Sequence, residues 1–151
     1  NVITGAYVRA ATDAQARALA LDALARVGLA DEQADAIAGG LTTKQLRLME
    51  LARALAPRPR LLLLDEPLAG LPQDALEDVL GIIRQVNREG TTIVIIEHTM
   101  RAMVQLADEF SVLDHGRLIA SGPPAEVVRE RAVIEAYLGK KWMERAENPV
   151  A

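Results

Sequence analysis

The chain has 151 residues, no cysteine and a formal net charge of −4, and half of its residues are hydrophobic although only 3% are aromatic. This length suits one domain whose aliphatic core needs no disulfide or metal to hold it together. The composition excludes disulfide scaffolds, thiolate zinc sites and cysteine nucleophiles, and the mildly acidic balance argues against nucleic acid as a partner.

The first third of the chain has helical patterning. Residues 13–27 place alanine and leucine at helical spacing, and a short polar helix is predicted over 31–38. Thr42-Thr43-Lys44-Gln45 has the pattern of a capping box, in which Thr42 is the N-cap and Gln45 bonds back to it. The helix that follows is expected to end before Pro57.

Two later segments are predicted to be strands buried on both faces of a sheet. Residues 61–64 form a continuous apolar run that leads into Asp65-Glu66, and 91–96 form a second run that leads into Glu97-His98. A helix predicted over 73–88 lies between them, so the pattern is that of an α/β fold with a mainly parallel sheet. Neither run approaches the roughly 20 residues that cross a bilayer, which favours a cytoplasmic protein.

The C-terminal part is predicted to form smaller elements. A helix over 100–107 is followed by a β-hairpin over 110–120 with the two-residue turn His115-Gly116. Short helices are expected after Pro124 and over 132–138. Turn chemistry accounts for His115, and no functional role is predicted for it.

The ends of the two predicted strands carry the first candidate site. In parallel sheets ligands bind beyond the carboxyl ends of the strands, where Asp65-Glu66 and Glu97-His98 would lie. One carboxylate could hold Mg²⁺ while the next polarises a water for attack on a phosphoryl group, and His98 could donate a hydrogen bond to a phosphate oxygen. Solvated acids in a turn and a structural histidine are the plain alternatives, and these residues alone do not choose between the two interpretations.

Residues 39–45 are a further candidate. Backbone amides at a helix start, together with two hydroxyl groups and the ammonium of Lys44, favour an anion. The plain alternative is a well-capped helix with no ligand.

Four motifs together resemble the ATP-binding cassette (ABC) ATPases. They are similar to the Walker B strand, the signature motif with its helix, the D-loop and the switch histidine, at 61–67, 41–55, 69–72 and 95–98 respectively. Their order and spacing agree with the family throughout 41–98. Residues 112–139 resemble the C-terminus of the ATPase subunits of branched-chain amino acid importers, and the first residues are similar to the stretch that follows the family's Q-loop.

The resemblance implies a role for each motif residue. Asp65 would support Mg²⁺, Glu66 would activate the attacking water, and His98 would sense the γ-phosphate of ATP. A second ATPase subunit would bind the ATP that faces the signature residues Thr42, Thr43, Lys44 and Gln45. The D-loop would be formed by Gly70, Leu71 and Pro72.

The resemblance also implies an architecture and partners. The chain would be part of a P-loop NTPase-like domain, with a helical subdomain and signature helix over 1–56, the second half of the catalytic core over 57–122 and a C-terminal helical extension over 123–151. The complete protein would be an ATP-hydrolysing subunit, homo- or heterodimeric, at the cytoplasmic face of the cell membrane. It would power import of branched-chain amino acids or related small solutes through transmembrane permease subunits, supplied by a periplasmic or extracellular solute-binding protein.

Three features depart from the family pattern. Lys44 stands where the family has glycine, and Pro72 replaces the usual acid or amide of the D-loop. No G-x-x-x-x-G-K-(S/T) motif occurs, since Gly139-Lys140 is followed by Lys141. We therefore expect the second half of a nucleotide-binding domain, which by itself binds MgATP weakly or not at all and is inactive. The alternative is a truncated, non-catalytic interaction module that docks on a permease or a partner ATPase.

Overall fold

The computed structural model describes residues 1–29 and 34–138, in two compact units that divide after His98. The first unit contains α1 (Val2–Ala6), α2 (Asp13–Arg26), a 3-10 turn (Ala38–Gly40), α3 (Thr43–Leu55), β1 (Leu61–Asp65), α4 (Gln73–Arg88) and β2 (Thr92–Ile96). The second unit contains α5 (Met100–Leu106), β3 (Phe110–Asp114), β4 (Arg117–Gly122), α6 (Pro124–Val127) and α7 (Arg131–Leu138).

Helices α1, α2 and α3 form a closely packed layer in the first unit. Their contact surfaces are rich in alanine, and Ala6, Ala16 and Ala52 are completely buried. Gly5 of α1 lies directly against α3, because a Cβ atom added to it would lie 2.2 Å from the carbonyl oxygen of Arg53. Small side chains therefore set the distance between these helices.

The parallel pairing of β1 with β2 confirms the predicted sheet type, with Leu61 opposite Thr92 and Asp65 opposite Ile96. The predicted burial on both faces is wrong for the described residues. Leu62 is only 5% exposed, whereas its neighbour Leu63 is 68% exposed. Alternate side chains of a strand point to opposite faces, so the described chain covers one face of this strand pair and leaves an apolar row open on the other.

The second unit is built on the predicted hairpin. Strands β3 and β4 pair antiparallel, and His115 and Gly116 both have positive φ, as a two-residue hairpin turn requires. Strand β4 continues two residues beyond the predicted end, so that Gly122 pairs with Phe110. A register shift next to Val112 introduces a bulge, and α6 and α7 pack against β4.

The other helix predictions have mixed outcomes. Helices α2, α3, α4 and α5 lie within one residue of the predicted bounds. The helix predicted over 31–38 falls partly outside the described residues, and its predicted end is wrong, because Ile37 is extended and Ala38 begins the 3-10 turn. Residues 139–141 also lie outside the described ranges. Within those ranges, every helix is too short or too polar to cross a membrane.

Candidate functional site

The carboxyl edge of the β1–β2 pair is formed by a sharp turn of the chain after Asp65. The backbone N–H of Glu66 donates to the carbonyl of Ile96 at 2.9 Å, and a turn then closes from Ala69 N–H to the carbonyl of Glu66 at 3.1 Å. Glu66 itself has φ 46°, in the left-handed region that non-glycine residues seldom adopt. Strained backbone of this kind clusters at functional sites, although Arg58 and His115 of this chain share it.

Glu66 and His98 meet at this edge. The Nδ1 atom of His98 lies 3.5 Å from Oε1 of Glu66, and both side chains are more than half exposed. An acid and an imidazole that reach solvent side by side can both act on one bound ligand, as acceptor and donor of protons or hydrogen bonds. The structure therefore brings together the two residues predicted to be catalytic.

Asp65 lines an open groove on the uncovered face of the β1–β2 pair. The groove has a volume of about 200 Å³, and its lining consists of Leu63, Leu64, Asp65, Val94 and Ile96. In the described ranges no group of three or more His, Cys, Asp or Glu side chains could enclose a metal ion. Mg²⁺ is typically held by only one or two carboxylates, together with water and phosphate oxygens, so the single carboxylate of Asp65 fits that ion.

The third carboxylate of this edge, that of Glu97, is buried, and this burial was not predicted from the sequence. The side chain of Glu97 is 0% exposed, compared with 71% for His98. Its Oε1 accepts from the backbone N–H of Leu68 at 3.0 Å, and its Oε2 accepts from the backbone N–H of His98 at 3.1 Å. Strand alternation was the available signal, since Glu97 follows the half-buried Ile93 and Ile95 on the covered face of β2.

The predicted capping box is present at the start of α3. Thr42 Oγ1 accepts from the backbone N–H of Gln45 at 3.3 Å, and Oε1 of Gln45 accepts from the backbone N–H of Thr42 at 2.9 Å. Thr42 and Thr43 are exposed on this turn. The Nζ atom of Lys44 lies 2.5 Å from Oδ2 of Asp78 on α4. The Lys44 ammonium is therefore paired with a carboxylate of the same chain.

The predicted D-loop lies against the same turn of α3. Gly70 has φ +74°, and a Cβ atom added there would lie 3.7 Å from Cγ2 of Thr43. Arg47 Nε donates to the carbonyl of Ala69 at 3.2 Å. Pro72 is the N-cap of α4, where a missing N–H removes no helical hydrogen bond. The signature and D-loop residues thus form a second cluster, to which Arg47 and Asp78 contribute without having been predicted.

His115 lies in the hairpin turn of the second unit. Its Nδ1 is 2.8 Å from Oδ1 of Asp114 in the same turn, and its side chain is exposed. This placement agrees with the turn role expected from the sequence.

Comparisons with known proteins identify the relatives of this chain. The family model for the "Branched-chain amino acid ATP-binding cassette transporter" matches residues 117–141. The branched-chain amino acid transport ATP-binding protein LivG of Salmonella typhimurium is 36% identical over 138 residues, which are 91% of this chain and 53% of LivG. The ribose import ATP-binding protein RbsA 1 of Rhizobium johnstonii is 36% identical over 126 residues, which are 83% of this chain and 24% of that protein.

A solved structure has the same arrangement. The ADP conformation of MJ1267, an ATP-binding cassette of an ABC transporter, superposes with a TM-score of 0.74 at 29% identity and covers 82% of this chain and 50% of that one. The chain therefore spans about half of the solved cassette and about half of LivG.

The fold and the relatives together define the class of protein to which the chain belongs. A parallel strand pair with an acidic carboxyl edge, in the arrangement of a solved ATP-binding cassette, places the chain among the P-loop NTPases. Within that class, the chain corresponds to about half of an ABC transporter ATPase, as the motif resemblance predicted.

Proposed function

We propose that the complete protein is the ATP-hydrolysing subunit of an importer for branched-chain amino acids or related small solutes. The single observation that carries hydrolysis is the approach of His98 to Glu66 at the end of β1, at 3.5 Å. The match at 117–141 and the likeness to LivG support the branched-chain type. The ribose importer among the relatives is the reason to include other small solutes.

The proposed reaction is in-line attack of water on the γ-phosphate of ATP. A bond forms between the water oxygen and the γ-phosphorus while the bond to the bridging oxygen of ADP breaks, and Glu66 accepts the proton of the water. Asp65 is the side chain that would hold Mg²⁺, which supplies charge neutralisation at the phosphates when bound. His98 would donate a hydrogen bond to a γ-phosphate oxygen, and its ring is exposed on the solvent side.

The second cluster would serve a second ATPase subunit. Thr42, Thr43, Lys44 and Gln45 would face the ATP of that subunit, next to the D-loop residues Gly70, Leu71 and Pro72. The closeness of Gly70 to Thr43, where an added Cβ atom would lie 3.7 Å from Cγ2 of Thr43, supports a common surface for the two motifs. We propose that residues 1–56 are the helical subdomain and that 13–56 meet the permease at the cytoplasmic face of the membrane. Residues 57–122 would complete the catalytic core, 123–151 would extend it, and a solute-binding protein would deliver the cargo.

The test is Glu66→Gln in the complete native protein, assayed for ATP binding and for steady-state hydrolysis. We expect hydrolysis to fall by about 10²- to 10⁴-fold, the usual contribution of a general base, while ATP still binds. Hydrolysis near the wild-type rate would remove Glu66 from this role. A wild-type protein that binds its permease without hydrolysing ATP would favour the non-catalytic interaction module instead. By the same proposal, calorimetry on the 151 residues alone should detect weak MgATP binding or none.

A further inference from the structure

Glu97 is the most deeply buried charged side chain near the proposed site. Its side chain is 0% exposed, although its neighbours in the sequence, Ile96 and His98, are exposed. A carboxylate in such a place is expensive unless hydrogen bonds replace its lost water. Its two oxygens accept from the N–H groups of Leu68 and His98, so the burial is compensated by charge-assisted bonds.

The two donors belong to different segments. Leu68 lies in the turn that follows Glu66, and the His98 amide lies at the end of β2. One carboxylate therefore ties the turn after β1 to the end of β2. The two segments it connects carry the candidate base and the candidate histidine.

The backbone geometry shows why such a tie is needed. Glu66 leaves the strand with positive φ, a conformation that persists only where the surroundings hold it. The hydrogen bond from the Ala69 N–H to the Glu66 carbonyl, at 3.1 Å, stabilises the turn locally. The hydrogen bond from the Leu68 N–H to Glu97 connects the same turn to the end of β2. The same carboxylate lies 3.8 Å from Nδ1 of His98, so it also faces the ring that approaches Glu66.

We propose that Glu97 is a positioning residue, whose buried carboxylate sets the distance between Glu66 and His98 by binding the amides of Leu68 and His98. The inference rests on the proposed hydrolysis function, and no contact of Glu97 with ATP is part of it. Its side chain points into the covered face of the sheet, so it acts through the two residues that reach the ligand.

The test uses Glu97→Gln in the complete native protein, because glutamine keeps the volume and one acceptor oxygen but presents an N–H₂ donor to the second amide. Glu77→Gln on the exposed side of α4 is the matched control for the loss of one charge. We expect Glu97→Gln to lower kcat about tenfold, with KM for MgATP within about twofold. Glu97→Ala should lower kcat further, by an amount typical of residues that orient a ligand-binding side chain. Glu77→Gln should leave both constants unchanged.

Amide hydrogen exchange without nucleotide gives a second, independent readout. In Glu97→Gln we expect the Leu68 or His98 amide to exchange at least about tenfold faster, while the Thr92 amide, bonded to the Arg60 carbonyl at the other end of the sheet, is unchanged. Faster exchange at Thr92 as well would mean general destabilisation and would overturn the proposal. So would unchanged exchange at Leu68 and His98, or a kcat within twofold of wild type.

The two readouts separate this inference from the proposed function. If the wild-type complete protein hydrolyses no ATP, the proposed function fails and the catalytic part of this inference fails with it. If the protein hydrolyses ATP and Glu97→Gln changes neither readout, hydrolysis stands and Glu97 is only a buried acid.

Discussion

The two ends of the β1–β2 pair differ in how their charged side chains are paired. At the amino end, Arg26 pairs with Glu89, and Arg58 pairs with Asp22 at 3.2 Å. These pairs, with Arg60, border an open cavity of about 400 Å³. The charged groups of this end are mostly neutralised by one another.

The carboxyl end is arranged differently. Three carboxylates, from Asp65, Glu66 and Glu97, lie there with the single imidazole of His98. One carboxylate is turned inward onto backbone amides, and the other two lie on exposed residues. An excess of exposed negative charge suits a cation and the phosphates it accompanies. Charged residues at the end of a strand pair therefore indicate a binding function when residues of opposite charge do not neutralise them.

The largest difference in ATP turnover between the two ends is expected from His98→Ala at the carboxyl end and Arg26→Ala at the amino end. Loss of a donor to the transferring phosphate should lower ATP turnover of the complete protein about a hundredfold. Arg26→Ala should leave turnover within twofold, because its exposed pair with Glu89 contributes little beyond local stability. Equal losses in steady-state assays of the two variants would break the distinction between the ends.

A smaller effect concerns the backbone. Each end has one non-glycine residue with positive φ, Arg58 at 52° and Glu66 at 46°. Glycine removes the Cβ strain of that conformation, although it also gains freedom in the unfolded chain. We therefore expect Arg58→Gly and Glu66→Gly each to raise the free energy of unfolding by up to about 1 kcal/mol in urea titrations.

Only one of these two variants should lose activity. Glu66→Gly should be stable and inactive, whereas Arg58→Gly should be stable and active, because only the first variant removes the proposed general base. If Arg58→Gly lowered stability instead, the pair with Asp22 would outweigh the strain, and the amino end would depend on its ion pair more than exposed pairs normally allow.

Local features of the fold and site were predictable from the sequence. The capping box spans four residues and the hairpin turn two, so their side chains and neighbours determine them. Helix α4 was recognisable from its apolar spacing, and the parallel sheet from its alternation of apolar runs with helices. The carboxyl ends of parallel strands then brought Glu66 and His98 together, although 32 positions separate them in the chain.

Contacts between distant segments were not predictable in the same way. Arg47 bonds to Ala69, and Lys44 to Asp78, across 22 and 34 positions, and no local pattern links such partners. The burial error has a related cause. A continuous apolar run shows that a strand avoids water in the complete fold, but it does not show which faces this chain covers, and Leu63 stays exposed.

The smallest effect is a pH dependence of stability at the amino end. The hydrogen bond from Gln85, and after it the one from Arg26, hold the pKa of Glu89 below its ordinary value. A carboxyl group whose pKa is lower in the folded state stabilises the fold above its unfolded pKa and loses that contribution as the pH falls through the folded value. The difference in unfolding free energy between wild type and Glu89→Gln should therefore shrink as the solution is acidified. Because Gln85 is the larger cause, Gln85→Ala should remove more of this dependence than Arg26→Ala. The opposite order would show that the ion pair with Arg26, and not the hydrogen bond from Gln85, is the main cause of the lowered pKa of Glu89.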